Sequence, residues 1–266
     1  MFLETTDGVG ILGYAGLGLT GEGTEPGDWM SRVLRGRNLP FESMLGVLTA
    51  VARTELLRHL EGLNAFGTPS HSIAVPAFVN RKPCMYSICF LRAQSGTGYW
   101  HEYRKNICGG DQEALHLPRT VGVSGSGGPH LLRNPEWVRE FLSAVRAHNK
   151  GRISAQEVAK VFSTVNSRVA DLEPSVGHRC IVAWRYRDGG GAHAMMDRAC
   201  RDMTPGDDGW IPAIARGADS TANIRAVFPR FGMPQAPGER HWMDFDTAEI
   251  DTALAALPRT PDERLT

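Results

Sequence analysis

The chain has 266 residues, with 29 basic side chains against 29 acidic ones, and 42% of its residues are hydrophobic. A formal net charge of zero argues against nucleic acid or a membrane surface as the main partner, and the hydrophobic share suits an ordinary globular core. No apolar run approaches the roughly 20 residues needed to span a bilayer, and Met1-Phe2-Leu3-Glu4-Thr5 lacks the regions of a signal peptide, so a cytoplasmic protein is expected.

In chain order, Phe2–Glu4 and Val9–Tyr14 form a strand pair across the turn Thr5-Thr6-Asp7-Gly8. Asp28–Leu34 is a short helix. Pro40–Leu60 is a longer one, with Phe41, Leu45, Leu48, Val51, Leu56 and Leu60 near a helical period. The period then changes. His71–Val79, Pro83–Leu91 and Tyr99–Tyr103 are β segments separated by the hairpin turns Asn80-Arg81-Lys82 and Ser95-Gly96-Thr97-Gly98. Arg119–Val123 is a short strand ending on Ser124-Gly125-Ser126-Gly127-Gly128.

Asn134-Pro135-Glu136 places a cap and a first-turn proline before a helix that runs to about His148. Ser154-Ala155-Gln156-Glu157 is a capping box, followed by Val158, Val161, Phe162, Val165 and Val169 on one face. Arg179–Tyr186 is a strong strand, and the glycine-rich turn after it leads into Ala192–Met195; Trp210–Ala213 adds one more. A domain over 1–215 is expected, followed by a polar, proline-rich extension over 216–266 with one helical patch at Thr247–Leu257. Blocks of strands separated by helix pairs argue an α+β fold rather than alternating βαβ units.

Five cysteines without a CxxC spacing read as small apolar residues of a reducing compartment. A zinc cluster drawn through His178, Cys180, His193 and Cys200 has irregular spacing, and these side chains read as core and surface residues, so no metal is expected. Nothing supports a G-x-S-x-G nucleophile.

The chemistry-bearing segments are turns. Gly13-Tyr14-Ala15-Gly16-Leu17-Gly18 ends a strand on small residues, which leaves backbone N–H groups able to face a developing negative charge. Together with the element order, this segment, Gly125-Ser126-Gly127 and Glu173-Pro174-Ser175-Val176-Gly177 resemble the proteasome-type N-terminal-nucleophile hydrolases. The resemblance covers roughly Phe2 to Met195. It implies a four-layer αββα sandwich, hydrolysis of a peptide or small amide, a homo-oligomer and no cofactor. It implies that Gly16 is the oxyanion-hole glycine, that Tyr14 and Gly18 flank the substrate pocket, and that Ser126 supports the terminal amine. Glu173 would replace the family's aspartate and Val176 its second serine, with Ser175 able to substitute if the turn shifts by one residue.

The family's nucleophile is an N-terminal Thr, Ser or Cys with its own amine as base. Its partner lysine falls, by the spacing to Gly16, at or just before Met1, and the nucleophile, an aspartate and that lysine have no counterpart here. The expectation is a form lacking its N-terminal catalytic hairpin, inactive as written, with a true start upstream. The alternative is a non-catalytic relative that uses the same sandwich for self-assembly or as a scaffold.

Overall fold

The computed structural model describes residues 1–16, 25–61, 72–95, 98–107, 125–178, 180–187, 191–196, 211–220 and 222. Gly18, Arg119–Val123 and Thr247–Leu257 lie outside the described residues.

The chain opens with β1 (Phe2–Glu4) and β2 (Gly8–Ile11), an antiparallel pair in which Glu4 faces Val9. Asp7 organises the turn between them. Its Oδ1 accepts from the Thr5 hydroxyl at 2.8 Å and from the backbone N–H of Phe41 at 2.7 Å. The second bond satisfies a first-turn N–H that a helix cannot satisfy internally. A short strand, β3 (Gly13–Ala15), follows, then helices α1 (Pro26–Leu34) and α2 (Phe41–Glu61).

Both helices cover one face of the sheet. Phe41, Met44, Leu45 and Leu48 of α2 are fully buried with Leu34 of α1 and Leu3 of β1. Gly10 explains the closeness: a Cβ there would lie 2.7 Å from the Phe41 ring, so this strand has to be bare where the aromatic ring lands. The sheet continues through β4 (Ser72–Val79), β5 (Lys82–Ser95) and β6 (Gly98–Ile107), all antiparallel. The β4–β5 hairpin turns on Asn80 and Arg81, both in the left-handed region at φ 49° and 63°, the conformation of a two-residue type I′ loop. Ile73, Val75 and Ile88 of these strands reach zero exposure and face the same core.

The second half begins with α3 (Gly128–Arg133), α4 (Pro135–Asn149) and α5 (Ala155–Ala170). The capping box of α5 forms as expected: Glu157 N–H donates to Ser154 Oγ at 3.2 Å, and Ser154 N–H donates to Glu157 Oε2 at 2.7 Å. Asn134 departs from expectation. Its side chain does not cap α4 but turns back to donate to the His130 carbonyl at 2.7 Å, closing α3 instead. The sequence carries no periodic signal for α3, because six residues are too few to show one.

Strands β7 (Cys180–Arg185) and β8 (Gly191–Met196) form a separate antiparallel pair. They pack against α5, and β7 also touches β2. Arg185 is a polar tie between the two sheets: its guanidinium donates to Glu4 Oε2 at 2.6 Å and stands over the Phe2 ring. The last strands are β9 (Ala213–Ala215) and β10 (Ala218–Asp219), a hairpin turning on Arg216 and Gly217. This hairpin crosses the expected boundary between residues 215 and 216, and Asp219 is buried in the sheet region.

The large sheet has the order β10-β9-β1-β2-β4-β5-β6, with β3 also paired to β4. It is mixed, since β1 and β9 run parallel while the other pairs are antiparallel. The described chain is therefore a mixed α and β fold with one large sheet, a two-stranded sheet and helices against each.

Candidate functional site

The turn that carries Ser126 is built by glycines. Gly125 has φ 96°, a left-handed conformation that other residues rarely adopt, and its carbonyl accepts from Gly128 N–H at 3.1 Å. Gly127 is bare for a different reason. A Cβ there would sit 2.8 Å from Val169 Cγ1 and 3.3 Å from Val176 Cγ2, so its absence lets the turn press onto the end of α5.

The opposing turn grows from the end of α5. The Val169 carbonyl accepts from both Leu172 and Glu173, and the Glu173 carbonyl accepts from Val176 N–H at 2.9 Å. Pro174 fixes its own φ and biases Glu173 away from helix. The carboxylate of Glu173 thereby folds back over the turn: Oε1 accepts the Ser175 hydroxyl at 2.6 Å and the Ser175 N–H at 3.2 Å. Asn166 holds the far side of the turn, donating to the Gly177 carbonyl at 2.9 Å.

The two turns meet through hydroxyls. Ser126 Oγ and Ser175 Oγ are 2.7 Å apart, and His130 Nε2 of α3 lies 3.5 Å from Glu173 Oε2. Four side chains thus form one line: Ser126, Ser175, Glu173, His130. The Ser175 hydroxyl and then its backbone N–H hold the Glu173 carboxyl below its usual range against the opposing effect of burial, with a lesser contribution from His130.

Its polarity follows from proton counting. A serine hydroxyl carries one proton. The Ser175 proton goes to the carboxylate, so Ser175 can only accept from Ser126. The Ser126 proton is then committed as well. With the Ser175 proton on the carboxylate, Ser126 presents its oxygen lone pairs at the outer end of the line.

Of the residues expected at a site, Ser126 and Glu173 are brought together, with Ser175 as the link between them. Val176 does not replace a serine in this line; its side chain instead packs toward Gly127, and Ser175 makes the contact. Gly16 follows β3 at φ 136°, and the end of that strand is close to the Ser126 turn, since a Cβ on Gly125 would be 3.6 Å from Ala15 Cβ. Tyr14 points the other way. Successive strand residues face opposite sides, and Tyr14 packs on the core shared with α2.

A cavity of about 440 Å³ opens beside Ser126, between the helices and β7. Phe141, Phe162, Val165, Val169, Val176 and Val182 are among its walls, and none of the described residues lining it is charged. Phe141 and Phe162 stack with ring centroids 4.6 Å apart. Cys180 also lines it, and burial pushes its thiol pKa up, so it stands there as a neutral, unreactive group.

Among the described residues no group of His, Cys, Asp and Glu gathers that could hold a metal ion, and no helix is long and apolar enough to cross a membrane. Comparison with protein-family models, with curated proteins and with solved structures returns no match.

Proposed function

We propose that the chain is part of a hydrolase of the proteasome-type N-terminal-nucleophile kind, cleaving peptide or small amide bonds. In this reading the helices α1 and α2, the large sheet, the β7–β8 pair and the helices α4 and α5 are the four layers of an αββα sandwich. The contacts of β7 with both β2 and α5 support that stacking.

One observation carries the reading: the line from Glu173 through Ser175 ends at Ser126 as an acceptor. Such an end suits an amine. A terminal amine seated on Ser126 donates one N–H to Oγ and keeps its lone pair free to take the proton of its own residue's hydroxyl or thiol. The Glu173 charge then stabilises the ammonium that forms. The proton passes on to the leaving amine when the amide carbonyl has been attacked. Gly16 supplies the complementary part, a backbone N–H for the oxyanion, at the strand end beside Gly125.

The test is the coding sequence upstream of the Met1 codon. An in-frame Thr, Ser or Cys that can be exposed as a terminus should give a chain that hydrolyses fluorogenic peptides. In that chain, Gly16→Ala should lower turnover by about 10²–10³ and leave binding nearly unchanged, as for loss of one oxyanion donor. A stop codon directly upstream would move the chain to the scaffold reading.

A further inference from the structure

We infer that His130 is a positioning residue for Glu173, one that ties the carboxylate to the Ser126 turn and makes that tie depend on pH. None of the site residues that the resemblance assigns is a histidine, so the role comes from the geometry of this chain. That Glu173 takes part in amide hydrolysis rests on the proposed function; that His130 holds it does not.

A carboxylate has two oxygens, and both must be held if the group is to keep one orientation. Oε1 of Glu173 accepts the Ser175 hydroxyl at 2.6 Å and the Ser175 N–H at 3.2 Å. Both donors belong to the turn that carries Glu173, so they fix the carboxylate only within its own segment. Oε2 meets the other segment, with His130 Nε2 3.5 Å away. The stretch from Ser126 to His130 therefore touches the Glu173 turn at two points, hydroxyl to hydroxyl at 2.7 Å and ring to carboxylate.

His130 is itself a fixed post. Its N–H donates to the Gly127 carbonyl at 3.2 Å, and its carbonyl accepts from the Asn134 side chain at 2.7 Å. The two side chains are 22% and 26% exposed, so their charges meet partly out of water, where screening is weaker. Other charged groups on the surrounding elements are taken up elsewhere. Arg168 of α5 pairs with Glu140 of α4 at 2.7 Å, and Asp171 with His178 at 3.8 Å. Arg133 on the same helix, and Glu136 and Arg139 on α4, are exposed to solvent.

Histidine changes charge between about pH 5 and 8. The Glu173 carboxyl, held below its usual range, is ionised throughout that window. The 3.5 Å spacing exceeds the roughly 2.7–2.9 Å of a charge-assisted bond. Protonation of His130 therefore closes the contact on acidification, and loss of that proton releases one of the two points that hold the turns together.

The experiment is an NMR titration of the full chain from about pH 5 to 8, following the Ser175 amide proton and the His130 ring. The Ser175 N–H sits on Glu173, so its shift reads the carboxylate directly. In wild type it should move with the His130 ring through one shared inflection. His130→Gln, neutral and of similar reach, should abolish that inflection. His178→Gln, which removes the exposed histidine of the same loop, should leave it in place.

A Ser175 amide that stays flat while His130 titrates would overturn the inference in wild type alone. An unchanged profile in His130→Gln, or an inflection removed by His178→Gln, would do the same. In an extended chain with turnover, His130→Gln should remove one inflection from the pH profile of kcat and leave KM within a few-fold. A kcat profile identical to wild type rejects the positioning role and leaves the hydrolase reading standing. Shared titration with no turnover by any extended chain upholds the tie and removes the hydrolase reading.

Discussion

Ser126 and Ser175 stand 49 positions apart in the chain, yet their hydroxyl oxygens are 2.7 Å from one another. The bond joins a glycine turn before α3 to a proline turn after α5. It also couples the Glu173 carboxylate to the Ser126 turn. Removing Ser175 should therefore change Glu173 and Ser126 together.

Ser175→Ala tests that coupling. The Ser175 hydroxyl is the largest cause of the lowered Glu173 pKa, so Glu173 should titrate higher in the variant, as followed by carbon-13 NMR of its carboxyl. The sign for stability is fixed. A carboxylate whose folded pKa is depressed contributes stability above its unfolded pKa, and that contribution is lost as pH falls through the folded value. Wild type should lose its advantage over Ser175→Ala on acidification, and a difference in Tm that persists unchanged at low pH would contradict the assignment.

Gly127→Ala should cost about 1–3 kcal/mol, as expected when a methyl is forced into a packed site. The residue has an ordinary φ of −70°, so the cost is steric and has one main source, the Val169 side chain at 2.8 Å. Val169→Ala should relieve it. A double-mutant cycle by chemical denaturation measures the coupling, and strict additivity would show that the clash is absent.

Ser154→Ala should destabilise by about 1 kcal/mol at neutral pH, the usual loss for a helix cap. The backbone N–H and then the hydroxyl of Ser154 hold Glu157 below the ordinary carboxylate range. That contribution is present above the unfolded pKa of Glu157 and lost as pH falls through the folded one. The gap between wild type and variant should narrow on acidification, measured as Tm against pH.

Glu4→Gln should cost about 1–3 kcal/mol, because the charged acceptor of a half-buried guanidinium is removed. Arg185 is only 16% exposed in its side chain, so water cannot fully replace the lost partner. Arg185→Met, which removes the charge while keeping a long apolar stem, should cost less than Glu4→Gln. Equal costs in urea denaturation would mean that the pair acts as an ordinary surface contact.

Much of the fold was legible because it is written in local chemistry. The Ser154 capping box, the β4–β5 turn at Asn80 and Arg81, and the apolar stripe of α2 each depend on residues within a few positions of one another. What the sequence hid depends on distance. Strand β9 sits a few residues later than expected, because it is defined by pairing with β1 rather than by its own pattern. At the site, Ser126 and Glu173 were visible as turn residues, but His130 belongs to a helix too short to show a period. Ser175 was visible in the same turn as the residue able to stand for the family's second serine; that it, and not Val176, meets Ser126 is set by distant contacts, Val176 packing toward Gly127 while Ser175 reaches the Ser126 hydroxyl.

The parallel pairing of β1 with β9 also sets an order of events during synthesis. Phe2 finds its neighbour in Ala213, which the ribosome adds roughly 10–40 s later at ordinary elongation rates. Through that interval β1 can pair with β2, but its other edge has no mate. A strand edge that waits for its mate is exposed to wrong partners for as long as the intervening chain is being made. Yield of folded protein should then depend on translation speed and on chaperone supply more than the stability of the finished fold would suggest.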